Sequence, residues 1–247
     1  MGTALYLYGI FPAPGPQGLV VKGLDAQPVV AHTIDEFTFL YSEAQQARYL
    51  ASRRNLLGHE KVLEQAMHDG FRTLLPLQFG LIIETWDKVI DQLVTPHGDG
   101  LKRLFERLQG RREVSVKVLW EEDKELEMLM AENEGLRLER DRLEGKQLSM
   151  DEIVRIGQAI EQAMGDRRAA IITAFQSALN SQSVAMIENN PLTSAMIYNT
   201  AYLIPWEAEP QFGQAIETLD AQFEDRLRIR YNNFTAPFNF AQLDQLD

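Results

Sequence analysis

Apolar and aromatic residues crowd the first forty positions in runs too short for helices. Residues 4–10, with Leu5, Tyr6, Leu7, Tyr8 and Ile10, read as a strand. Pro12, Pro14 and Pro16 stop it, because proline offers no backbone donor to a sheet. Residues 18–22 and 28–32 flank a Gly-Leu-Asp-Ala spacer and predict a meander or hairpin. Residues 36–41 predict a fourth strand. The period then changes to that of a helix. Ser42 is a candidate N-cap, and the stretch to Gly70 reads as helical, with Leu56, Leu57, Val62, Leu63 and Met67 on its apolar side. Residues 71–76 and 77–83 read as short extended pieces. Trp86, Val89, Ile90 and Leu93 recur at helical spacing. A break is predicted at residues 95–100, before Leu101, Leu104, Phe105 and Leu108 resume the helical pattern up to Gly110.

Beyond Gly110 a second pattern starts, which places a domain boundary between residues 1–111 and 112–247. Val114, Val116 and Val118 alternate with Ser115, Lys117 and Leu119 and lead to Trp120, a strand. The most charged stretch follows. In it Leu129, Leu136, Leu143 and Met150 fall seven apart, but the positions three earlier are Leu126, Asn133, Arg140 and Gln147. One apolar edge fits a helical arm or short hairpin over about residues 121–148 better than a two-stranded coiled coil, which needs both positions apolar. Ser149 and Glu152 form a capping-box pair that opens a helix carrying Ile153, Ile156, Ile160, Ala163 and Met164, continued by Ile171, Phe175 and Leu179. Strands at 183–187 and 195–204, a turn at 189–191, a helix on Phe212, Ile216, Leu219 and Phe223, and a strand at 227–231 complete the order. Strand, helices, strand, strand, helix, strand is the βαββαβ order of a ferredoxin-like domain. The expected fold class is therefore α+β in two domains. The first holds an antiparallel sheet. The second is ferredoxin-like with a long helical insertion and a C-terminal extension over about residues 235–247, whose Pro237, Phe238 and Phe240 predict packing, with cover for a sheet edge as one use.

Charge and chemistry narrow the function by exclusion. A net charge of −12 over 247 residues argues against a nucleic-acid face and against docking on anionic lipid. No apolar run approaches a membrane span, and the first residues lack the positive charge of a secretory signal. The absence of cysteine excludes a thiolate metal site, a disulfide and a cysteine nucleophile. His32, His59, His68 and His97 read as ordinary histidines. His59-Glu60 would open a zinc-binding helix only with a histidine at 63, which is Leu63. No nucleophile elbow, phosphate loop, dinucleotide fingerprint or calcium loop is present, so no catalytic residue, metal or cofactor is expected. Arg53-Arg54 and Arg111-Arg112 read as local ion pairs rather than a phosphate site. Tyr6, Tyr8, Phe37, Phe39 and Tyr41 read as sheet core rather than the lining of a ligand pocket.

Five segments in order resemble the gas vesicle protein F/L family across essentially the whole length. They are Leu5-Tyr6-Leu7-Tyr8-Gly9-Ile10; Arg54-Asn55-Leu56-Leu57-Gly58-His59-Glu60-Lys61-Val62-Leu63-Glu64 followed by Leu75-Pro76-Leu77-Gln78-Phe79-Gly80; Glu113 to Trp120; Asn199-Thr200-Ala201-Tyr202-Leu203-Ile204; and Thr235-Ala236-Pro237-Phe238-Asn239-Phe240. Gln78 stands where the family pattern has arginine, and the last segment is a shortened form of the family's ending. The resemblance implies a non-enzymatic role in a gas-filled cytoplasmic protein shell that gives buoyancy. It implies an accessory or minor structural protein that binds the major hydrophobic shell protein, and other gas vesicle accessory proteins, during nucleation and assembly. It implies no cofactor, nucleic acid or membrane. It points to Arg54, Asn55, His59, Glu60, Leu63, Pro76, Phe79, Gly80, Trp120, Asn199 and Tyr202 as structural or partner-binding positions. The alternative from another class is a ferredoxin-like domain that binds a small regulatory ligand.

Overall fold

A computed structural model describes residues 4–142, 149–224 and 226–243. It is a mixed helix and sheet structure with two antiparallel sheets. By compactness the chain divides into two units. One comprises Met1–Val114, Leu203–Glu207 and Asn233–Asp247, the other Ser115–Tyr202 and Ala208–Asn232.

In the first unit β1 (Leu5–Pro12) lies between β3 (Phe37–Glu43) on one side and the short β4 (Leu75–Pro76) and β5 (Ile82–Ile83) on the other, with β2 (Val30–Ile34) at the edge beyond β3. All of these pairs are antiparallel. Six successive residues of β1, from Tyr6 to Phe11, are buried, so the strand is covered on both faces and reads as a continuous apolar run. Helix α1 (Arg53–His68) buries His59, Val62, Leu63, Ala66 and Met67. Helices α2 (Trp86–Val89) and α3 (Thr95–Leu108) are joined without interruption by a π turn at Ile90–Val94.

Local expectations fail here in four places. Residues 18–22 form no strand; Lys22 makes one isolated bridge to Pro28, and β2 begins at Val30. Ser42 is not an N-cap: it lies within β3, and the cap of α1 is Ser52, whose side chain accepts from the Asn55 N–H. The residues between stay irregular because the Tyr49 hydroxyl takes the Gln45 N–H at 3.0 Å and donates to Asp25 at 3.0 Å, a local alternative to helical pairing. The predicted break at 95–100 lies inside helix. Pro96 follows directly on the π turn, and burial of Leu101, Leu104, Phe105 and Leu108 holds the glycine-rich turn helical.

The second sheet has the order β7 (Ala185–Glu188), β8 (Met196–Pro205), β6 (Arg111–Trp120), β9 (Leu227–Thr235). Between β6 and β7 come α4 (Glu122–Glu132), α5 (Glu134–Asp141) and the 30-residue α6 (Met150–Leu179); α7 (Glu209–Phe223) separates β8 from β9. Nine successive residues of β8 are buried. The leucine seam is not continuous. Leu129 and Leu136 are buried, the Asn133 side chain breaks the helix by capping the Leu136 N–H at 3.0 Å, and Met150 is 73% exposed. Leu143, and with it residues 143–148 of the expected arm, lies outside the described residues, as do residues 244–247 of the extension. The capping box of Ser149 and Glu152 is formed as expected.

Candidate functional site

The family-like segments of the first unit meet at His59. Tyr6 and Tyr8 lie two residues apart on β1, so both rings project from one face of the sheet toward α1, 4.9 Å apart between centroids. Position 59 on α1 faces that sheet and is 2% exposed. The His59 Nε2 lies 3.1 Å from the Leu77 carbonyl oxygen, which can only accept, so Nε2 carries the proton. Burial lowers the pKa of His59 to about 4, so the ring is neutral and Nδ1 accepts. The Tyr6 hydroxyl, 2.9 Å away, is the donor to Nδ1, and its oxygen in turn accepts the Gly80 N–H at 3.0 Å. Every polar atom of the two side chains is used, and one relay ties β1, α1 and the Leu77–Gly80 loop together.

The loop depends on Gly80, whose φ of +93° a side chain would strain. Phe79 closes the relay, with its ring 6.0 Å from His59 and 6.1 Å from Tyr6. Leu63 is fully buried, and Pro76 pairs with Gly9 on a two-residue edge strand that needs no proline donor. The neighbouring Tyr8 hydroxyl accepts the Leu24 N–H at 2.9 Å and meets Ser42 Oγ at 2.8 Å. Burial pushes both tyrosines above the ordinary phenol range, which keeps the hydroxyls protonated as donors. Asn55 Nδ2 donates to the Leu50 carbonyl at 2.9 Å, while Arg54 and Glu60 on the same helix are exposed.

The family-like residues of the second unit form a separate set. Trp120 is 3% exposed with the Arg168 guanidinium over its ring at 4.8 Å. Asn199 donates from Nδ2 to the Asn190 carbonyl at 2.9 Å and holds the 189–191 turn. The Tyr202 hydroxyl donates to Asn180 Oδ1 at 3.3 Å and also meets the Tyr198 hydroxyl, with Phe212 packed edge-on. Burial and the Tyr198 contact raise its pKa. These are core-locking contacts.

With the geometry described, comparison with known proteins identifies the family. The profile described as gas vesicle synthesis protein GvpL/GvpF matches residues 4–242. The chain belongs to that family. It is 54% identical over 244 residues to gas vesicle protein F of Dolichospermum flosaquae, covering 99% of this chain and 100% of that one. It is 55% identical over 243 residues to gas vesicle protein F of Microcystis aeruginosa, with 98% and 100% covered. Crystal structures of GvpF superpose well. The one from an Anabaena species has a TM-score of 0.85 at 51% identity, covering 97% of this chain and 96% of that one. The one from Microcystis aeruginosa has a TM-score of 0.84 at 55% identity, with 97% and 99% covered.

Within this GvpL/GvpF chain, the two arginine pairs make different contacts. Arg53 and Arg54 make no ion pair among the described residues. Arg111 donates to the Arg107 carbonyl at 2.6 Å, and Arg112 lies over the Trp206 ring at 4.3 Å and donates to the Asn233 carbonyl. Tyr6, Tyr8, Phe37 and Phe39 are core, as read, and half-buried Tyr41 packs edge-on against Trp86.

Two buried carboxylates escaped the sequence reading. Glu113 accepts the Asn239 N–H at 2.9 Å and its Nδ2 at 2.6 Å, and burial pushes its pKa up to about 7. Glu125 is fully buried between Arg167 and Arg226. Burial alone would raise its pKa, and the two guanidiniums outweigh that and hold it below the usual range. The signal for Glu125 was available: it sits four residues before Leu129, on the apolar edge itself. Among the described residues no cluster of three or more His, Asp or Glu could hold a metal, and no helix is long and apolar enough to cross a membrane.

Proposed function

We propose that this chain is a non-enzymatic accessory or minor structural protein of the gas vesicle, which binds the major hydrophobic shell protein, works with other gas vesicle accessory proteins, and supports nucleation and assembly in the cytoplasm. Family membership over residues 4–242 carries this reading. The chemistry of the first unit supports it, because both nitrogens of His59 are taken by fixed structural partners and none is left for proton transfer. A shell subunit that faces gas exposes apolar surface before it assembles. A partner with a net charge of −12 stays soluble while covering it. The order of chain elements and the sheet order β7-β8-β6-β9 support a ferredoxin-like second unit, whose edge strand β7 is available for strand addition. Of the family-like positions, Arg54, Glu60 and Gly80 are exposed, and the side chains of Arg54 and Glu60 are open to a partner; the buried ones hold the fold.

Flotation tests this. Vesicles are isolated from cells that carry the protein, washed, collapsed by pressure and blotted beside the soluble fraction. Retention after washing marks a shell component, and recovery in the soluble fraction bound to shell protein marks an assembly factor. Absence from vesicles together with no binding to shell protein would overturn the reading.

A further inference from the structure

In the second unit, α4 and α6 enclose an open groove of about 790 Å3. Its apolar lining is Leu126 from α4 and Ile160 and Met164 from α6. Two glycines, Gly157 and Gly165, line the same groove. They lie eight residues apart, on one face of α6. Each sits inside a helix, where glycine costs roughly 1 kcal/mol relative to alanine. A Cβ built on either would meet nothing within 4 Å. Among the described residues no packing therefore requires a glycine at either position, and their effect is to leave the groove open. Glu122 on one wall and Glu161 on the other are exposed and make no ion pair among the described residues. The lining guanidinium, Arg168, is engaged by the Trp120 ring.

We propose that this groove is the docking site for an amphipathic helix of a partner protein, apolar on the face that enters and carrying lysine or arginine on both flanks. The lining of α6 runs from Gly157 to Arg168, eleven steps of 1.5 Å, which is about three helical turns. An apolar floor with one carboxylate on each wall matches a leucine stripe flanked by cations. A net charge of −12 disfavours a second copy of this chain in the groove and favours a cationic helix. Met164 gives the floor a side chain that adapts to its occupant. The inference deepens the assembly reading and rests on it only for where the partner comes from.

The test uses the full chain and a fluorescein-labelled 14-residue peptide of leucine and lysine at helical spacing, with a leucine–glutamate peptide as its counterpart. Fluorescence anisotropy is expected to show saturable binding of the lysine peptide and at least about tenfold weaker binding of the glutamate one. A −12 protein attracts cationic peptides generally, so the deciding variant leaves the charge alone. Gly157→Leu with Gly165→Leu fills the groove and is expected to weaken binding about tenfold with an unchanged circular dichroism spectrum. Equal affinity in that variant and the wild type would overturn the proposal. If the leucines disturb α6, Glu122→Gln with Glu161→Gln replaces them, set against the charge-matched exposed pair Glu106→Gln with Glu217→Gln. A loss about threefold greater in the groove pair supports the site, and equal losses sink it. Failure here leaves the flotation result untouched, so the two readings fall separately.

Discussion

His59 and Glu113 are buried ionisable residues of the first unit whose pH dependences run in opposite directions. His59 falls to about 4 in the fold through burial, against an ordinary value of 6.5. The unfolded chain therefore takes the proton first as pH drops. The stabilising contribution is complete above about pH 6.5 and is lost as pH falls through 4. Two and a half units amount to roughly 3 kcal/mol. His59→Leu leaves the Tyr6 hydroxyl and the Leu77 carbonyl without their partner, and should cost about 2–4 kcal/mol in urea unfolding at pH 7. Its deficit against wild type should shrink near pH 4.5. Glu113 rises to about 7 through burial, against 4.5. Here the folded chain holds the proton longer, so the contribution is complete below 4.5 and is lost as pH rises through 7. Glu113→Gln is fixed neutral, and its stability relative to wild type should therefore improve between pH 5 and pH 8. A constant difference across that range would show that Glu113 is ionised in the fold throughout.

At the scale of elements, one buried carboxylate ties α4 to its neighbours. Glu125 receives Arg167 Nε at 3.0 Å and Arg226 Nη2 at 2.6 Å, joining α4, α6 and the chain just before β9; Arg167 also reaches Glu132 at 2.6 Å. Glu125→Ala takes the carboxylate from Arg226 and leaves Arg167 with Glu132 alone, and a loss of about 3 kcal/mol is expected from thermal or urea unfolding. Because the carboxyl is held below its usual range, this contribution is present above about pH 4.5 and is lost as pH falls through the folded value. Helix α6 starts on the reciprocal pair of Ser149 and Glu152, with the Glu152 carboxylate accepting the Ser149 N–H at 2.9 Å. Ser149→Ala should cost about 1 kcal/mol, and amide exchange should show the loss in the first turn of α6 before elsewhere.

Over the whole molecule the charge sets the colloidal behaviour. With a sequence pI near 4.9, the chain should be least soluble near pH 5 and regain solubility on either side, which turbidity across pH 4–8 will show. The same acidity makes any cationic partner salt-sensitive and leaves apolar association as the part that salt spares.

Amphipathic period, capping residues and composition act locally, and they determined what is local: most of the helices and strands, the capping box of α6, the apolar faces, the acidic class and the five family-like segments. Where a short-range signal competed with burial, burial won. Pro96 and its following glycines stayed helical because four apolar side chains behind them are buried. The Ser42 signal lost to a strand whose neighbours cover it. Contacts far apart in sequence were left to the tertiary structure. It placed Tyr6 against His59, 53 residues away, and the C-terminal Asn239 on Glu113, 126 residues away. It also gave Glu125 two arginines from distant segments, and left two glycines facing an open groove. A periodicity records which face a residue occupies, whereas the identity of its partner depends on which other face the fold brings opposite.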